Sequence, residues 1–225
     1  MSASHTPRRA LVTRAGARPQ VEAGARIAPT AQIIGNVRVS RECVIDYGAV
    51  IASSGPPVVL GPGVVVMANA VVRSVGGEHR PAFPVEIGAD SLIGPLAALT
   101  GCAIGEACYV ATGVMIFHGT TVGDGSRLGA GSIIHTGAQL PAGSRVGMRQ
   151  YAVRGRDGAA VVTGDLEHAR DLLAEADFFT RAFAIDETDL EPLHRQATAA
   201  LRAEAADWTD LRRFEPTASD PGIEP

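Results

Sequence analysis

The 225-residue sequence predicts an all-β solenoid, a parallel β-helix followed by C-terminal α-helices. Three observations predict it. First, Ile104, Val110, Ile116, Val122, Leu128, Ile134, Leu140 and Val146 stand six apart without a break. Six fits neither the helical period of 3.6 nor the alternation of an open sheet; it fits a coil of three short strands and three turns, eighteen residues long. Second, a small side chain follows most of these aliphatics four positions on: Cys108, Thr120, Ser126, Ser132, Ala138 and Ser144. Third, beyond Gly164 the period becomes helical.

Taken in order, residues 1–24 read as a disordered or extended arm. They hold Arg8, Arg9, Arg14 and Arg18 but no apolar stretch of the signal-peptide kind. The solenoid is predicted over 25–155. Ile27, Ile33, Val39, Ile45 and Ile51 open the stride, a loop interrupts at 52–59, and Leu60, Val66 and Val72 resume it. A second loop covers about 74–86, its Glu78-His79-Arg80 tip placed to form a mobile lid or a solvated turn. Ile87, Ile93 and Leu99 then lead, by one shortened step of five, to Ile104, making six to seven coils. Gly88, Gly94, Gly105, Gly123 and Gly129 are expected at corners of positive φ.

Helices are predicted over 165–213, packed on the solenoid or on a neighbouring subunit. One stripe is Leu166, Ala169, Leu172, Leu173, Ala176, Phe179 and Phe183. A second helix opens at a capping box of Thr188 and Glu191, with Leu190, Leu193, Ala197, Leu201, Ala205 and Trp208 as its apolar face. Residues 214–225 read as a disordered tail.

Composition narrows the function. The net charge is −4, so a nucleic-acid partner is not expected; all 20 basic residues are arginine, which reads as a genomic bias. No apolar run reaches the ~20 residues of a membrane span. Cys43, Cys102 and Cys108 have neither metal spacing nor an even count; buried thiols in a reducing cytoplasm are expected.

Three segments carry a resemblance: Ile27-Ala-Pro-Thr-Ala-Gln-Ile-Ile-Gly-Asn-Val, Pro84-Val-Glu-Ile-Gly and Gly101-Cys102-Ala103-Ile104-Gly105. With the two loops, the five-residue step and the helical C-terminus, the chain over about 25–185 resembles the γ-class carbonic anhydrases among the hexapeptide-repeat proteins. The resemblance implies a left-handed β-helix, a homotrimer and a zinc ion held between subunits by three histidines. It places those histidines at Arg73, Pro95 and Thr100, the family's Arg-Gly-Asp at Ala52-Ser53-Ser54 and its Gln-Asp pair at Met67-Ala68. Proline offers zinc no side-chain donor, arginine stays protonated and repels a dication, and a neutral threonine hydroxyl is a poor ligand. The expectation is a chain with no metal site and no carbonic anhydrase activity.

Residues one past the inward aliphatics form a ladder of Ile34, Ala52, Arg73, Thr100, Phe117 and His135, which the resemblance turns toward the cleft between subunits. Two readings of Arg73 stand: an anchor for a small anionic ligand, or an inter-subunit salt bridge. Tyr109 and His79 are candidate substrate contacts beside it, and Thr100 and His135 candidate catalytic groups. His118, in Ile116-Phe-His-Gly-Thr-Thr-Val-Gly, resembles the general base of hexapeptide acyltransferases, or is a plain turn histidine. Three functions follow: a metal-free trimer that binds or converts a small anion and needs no cofactor; an acyltransferase using His118 with an acyl-CoA or acyl-carrier thioester as co-substrate; and a non-catalytic trimeric scaffold.

Overall fold

The computed structural model describes residues 10–78, 80–174, 184, 190–206 and 208. The chain winds into a prism with the architecture of a left-handed β-helix. The first face stacks eight parallel strands: Leu11–Val12, Gln32–Ile34, Val50–Ala52, Val71–Arg73, Ala98–Thr100, Met115–Ile116, Ile133–Ile134 and Tyr151–Arg154. The second runs from Gln20–Val21 to Gln139–Leu140 and the third from Arg26–Ile27 to Arg145–Val146, each with seven strands.

The stride of six is the core. On the first face Ile33, Ile51, Val72, Leu99, Ile116 and Ile134 are buried; the other two faces add Val39, Leu60, Ile87, Ile104 and Ile45, Val66, Ile93, Val110. Each aliphatic covers its equivalent one coil away, so a single coil has no apolar interior of its own. The small positions Cys108, Thr120, Ser126, Ser132 and Ala138 are buried as expected, and Ser144 near the end of the prism is half-buried. The Ser126 hydroxyl donates to the Gly123 carbonyl at 2.6 Å, and the Cys43 and Cys108 thiols donate to the Gly61 and Gly123 carbonyls at 3.1 and 3.3 Å. All three cysteines are buried and unbridged.

The solenoid has about eight turns, more than the six to seven expected. The added coil lies within the stretch read as an arm: Leu11–Val12 pairs in parallel with Ile33–Ile34, and Gln20–Val21 with Arg38–Val39. Between them an Arg14–Ala17 bridge closes an insert, so that Leu11 and Val21 stand ten apart where their partners Ile33 and Val39 stand six apart, which is why the stride is not visible there. At the other end Ala160–Thr163 runs antiparallel to Tyr151–Arg154 and covers the open edge. Helix α1 (Leu166–Ala174) packs on this hairpin. Its first amides, Glu167 and His168, donate to the Asp165 carboxylate at 2.9 and 3.3 Å, making Asp165 the N-cap.

The corner glycines do not act as expected. Positive φ falls on a different register, at Gly113, Gly119, Gly125, Gly131, Gly137 and Gly143. Gly88, Gly94, Gly105, Gly123 and Gly129 lie outside it and serve close approach between coils instead. A Cβ at Gly94 would meet the Ala111 carbonyl carbon at 2.7 Å, and one at Gly129 the Met148 nitrogen at 2.6 Å. Backbone cannot yield as a side-chain tip can. Gly94→Ala is therefore expected to destabilise the fold by on the order of 2 kcal/mol. At Gly113 a Cβ meets nothing within 4 Å, so Gly113→Ala carries only the conformational cost of about 1 kcal/mol. Paired urea titrations check the order; an equal loss in both variants would refute this account.

Candidate functional site

The predicted ladder forms. Ile34 pairs with Ala52, Ala52 with Arg73, and Arg73 with Thr100 across adjacent strands. Phe117 and His135 continue the row one and two coils on, their rings 5.4 Å apart. Backbone bonds tie the neighbouring corner: Gly101 N–H donates to the Arg73 carbonyl at 2.9 Å, and Gly119 N–H to the Gly101 carbonyl at 2.8 Å. His118 thus sits two coils from Arg73, about 10 Å along the prism.

The 74–86 segment is no solvated loop. Val75–Gly77 and Arg80–Phe83 form an antiparallel hairpin that folds back over the first face. Its base is fixed where the Ser53 hydroxyl donates to the Pro56 carbonyl at 2.8 Å, with the Ser74 hydroxyl donating to the same oxygen. Gly101, at φ +56°, leaves room for Phe83 to pack on the backbone of the coil. Phe83 then meets His118 edge to face, with ring centroids 5.3 Å apart. Glu78 lies exposed at the tip; His79 lies outside the described residues.

Arg80 departs most from the expected lid. It is buried, and its Nε donates to Glu204 Oε2 at 2.8 Å, with side-chain exposures of 1% and 7%. Glu204 belongs to helix α2 (Leu190–Ala206), so the C-terminal helix docks on the hairpin. Its docking side coincides only in part with the apolar face read from the sequence: Ala197 of that face is buried. Leu201 is exposed, and among residues 194–206 Ala197 and Glu204 are the buried ones. The Thr188–Glu191 capping box falls partly outside the described residues. Trp208 follows α2, with the Arg14 guanidinium 4.2 Å above its ring.

The electrostatics follow from this packing. His118 is buried in its turn and its pKa is held down at about 4, first by burial, then by the charges of Arg80 and Arg73. It is a neutral imidazole near pH 7. His135 is half-buried and lowered by desolvation. Arg73 is exposed on the single chain; desolvation and then Arg80 lower its pKa while Glu204 opposes them, and it remains a cation. No ion pair to Arg73 forms among the described residues.

Tyr109 is not part of this cluster within one chain. It lies on the third face between Leu92 and Arg127, exposed, while Arg73 projects from the first. Pro95 occupies the turn joining those faces. Arg73, Pro95 and Thr100 together offer no donor set that fits zinc.

A family model described as the hexapeptide repeat of succinyl-transferase matches residues 84–118 and 119–148. From Ile104 onward these coils keep the stride of six, and every third strand pairs in register. Over these residues the chain carries hexapeptide repeats. Part of it is similar to the γ-carbonic anhydrases. It is 33% identical over 98 residues to γ-carbonic anhydrase 3 of Arabidopsis thaliana mitochondria, covering 42% of this chain and 37% of that one. Over 105 residues it is 30% identical to γ-carbonic anhydrase 1 of the same organism, covering 45% and 37%. It thus spans little more than a third of these relatives' length. Among solved structures, a putative acetyltransferase from Bacillus cereus shares the fold with a TM-score of 0.50 at 18% identity, covering 87% of this chain and 97% of that one. Among the described residues, no helix is long and apolar enough to cross a membrane.

Proposed function

We propose that this chain is a homotrimer that binds or converts a small anion between subunits, without zinc and without carbonic anhydrase activity, using Arg73 as the anchor. The observation that carries this reading is the position of Arg73. The γ-carbonic anhydrase resemblance assigns Arg73 the place of a zinc ligand, and this permanent cation is exposed, with no carboxylate paired to it among the described residues, while Arg80 is buried against Glu204. Replacing a metal ligand with a fixed positive charge suits an anionic ligand held directly by the protein. Thr100 beside it supplies a hydroxyl.

The surface supports a trimer. The second face is mostly polar outward, with Gln20, Arg38, Glu86, Thr121 and Gln139. The first face presents Val50, Val71, Met115 and Ile133; the third presents Val44, Val65, Leu92 and Tyr109. Exposed Tyr47, Leu96 and Met148 stand at the corner between them. An apolar corner flanked by two apolar faces suits burial against a second copy of the chain. Such burial brings the Tyr109 face of one subunit toward the Arg73 face of another. The cytoplasm, where these thiols stay reduced, is the proposed location.

A second reading keeps His118 as the general base of an acyltransferase with a thioester co-substrate. It is favoured by the description of the matching family model, the hexapeptide repeat of succinyl-transferase. Against it, a histidine buried under Phe83 with a pKa of about 4 is a weak base.

Calorimetric titration of the purified protein with acetate, succinate and inorganic phosphate is expected to show one saturable site per subunit. Elemental analysis is expected to find no stoichiometric zinc, and CO₂ hydration to run no faster than buffer. One zinc per subunit overturns the metal-free reading. Absence of anion binding leaves the scaffold; turnover of an acyl-CoA lost in His118→Ala selects the acyltransferase.

A further inference from the structure

Helix α2 brings a carboxylate from the far end of the chain into the cluster of cations. Arg80 and Glu204 are 124 residues apart and meet at 2.8 Å in a buried contact. The charges of Arg73, Arg80 and Glu204 all act on one another there, and those of both arginines reach His118. The structure thus contains its own example of what the Arg80 guanidinium binds: a carboxylate.

The helix that delivers it is lightly held. Between 194 and 206 it buries Ala197 and Glu204, and its remaining side chains are exposed or half-exposed. A cavity of about 150 Å³ is lined by Glu204 together with Gly76, Gly77, Glu78 and Trp208, so open space adjoins this residue. Removing one partner of a buried ion pair leaves the other charge uncompensated. Withdrawal of Glu204 therefore becomes favourable when another anion takes its place at Arg80. A helix with one buried apolar side chain over that stretch belongs to the low-stability end of the molecule, where opening is cheapest.

We propose that the Arg73–Arg80 pair is a site for a small carboxylate, and that Glu204 competes for it, making α2 a lid that the ligand displaces. This deepens the anion-binding function and rests on Arg73 as its anchor. A dicarboxylate such as succinate suits the pair, one carboxylate for each guanidinium. The scheme involves exchange of ion-pair partners, with no bond made or broken.

Glu204→Gln keeps the shape of the side chain and removes its charge. In the full-length chain, Glu204→Gln is expected to bind succinate about 10-fold or more tightly than the unaltered protein, with chloride at matched ionic strength as control. In the unaltered protein, saturating succinate is expected to speed amide hydrogen exchange across 194–206. Unchanged or weaker binding by Glu204→Gln, or exchange in α2 that is slowed or unmoved by succinate, overturns the proposal; weaker binding would make Glu204 a positioning residue for Arg80. Arg73→Ala separates the two levels. If it loses succinate binding while Glu204→Gln gains none, anion binding stands and the lid fails. If neither the unaltered protein nor Glu204→Gln binds succinate, both fail.

Discussion

Arg73→Ala is expected to weaken binding of small carboxylates about 10- to 100-fold while leaving the oligomer and its melting temperature in place. Hydrogen bonds to a charged group contribute about 1.5–3 kcal/mol, which sets that range. The stability side follows from location. Arg73 projects outward from the first face with no ion pair among the described residues, and the side chain holding that coil is its buried neighbour Val72. Substitutions at such positions typically stay within ~0.5 kcal/mol. Arg73→Lys keeps the charge but loses the planar two-pronged donor, so an intermediate affinity is expected. Titration calorimetry gives the affinities, and sedimentation the oligomeric state. If the alanine variant falls apart into monomers, Arg73 is an inter-subunit salt bridge and the anchor is refuted.

The rest of the cluster shows where sequence reasoning reached and where it stopped. The row Ala52, Arg73, Thr100 follows from counting, because a fixed stride makes residues of successive coils neighbours. The same counting separates Tyr109 from Arg73, since Tyr109 precedes an inward residue of a different face. Arg80 and Glu204 were not legible. Nothing local in a hairpin tip or in an alanine-rich helix marks two residues 124 positions apart as partners. The helix was legible in part: Ala197 of the apolar stripe is buried, but Leu201 is exposed and Glu204 is buried in addition, because a buried arginine draws a carboxylate. The glycines were ambiguous for a simpler reason. Two glycine registers run through these coils, one required by positive φ and one by the approach of the next coil, and composition cannot tell them apart.

Acidification is expected to unfold this protein through His118. Its pKa is about 4 in the folded chain, against 6.5 for the free side chain. The unfolded chain therefore binds the proton first, and stability falls as pH drops from about 6.5 toward 4, being fully present above that window. A difference of that size corresponds to about 3 kcal/mol at the acid end. The causes act in one direction: burial under Phe83, then the positive charges of Arg80 and Arg73, each disfavouring an imidazolium. His135, lowered by desolvation beside Phe117, adds to the same trend. Glu204 is the carboxylate that meets Arg80 in this cluster, at 2.8 Å. His118→Gln removes one titration and leaves the others, so the comparison isolates it. Between pH 7 and 4 the unaltered protein is expected to lose about 3 kcal/mol more unfolding free energy than His118→Gln, read by urea titration at each pH. Parallel pH profiles would show that His118 gains a proton without cost in the folded chain. The burial under the hairpin would then be incomplete, and the objection to His118 as a general base would go with it.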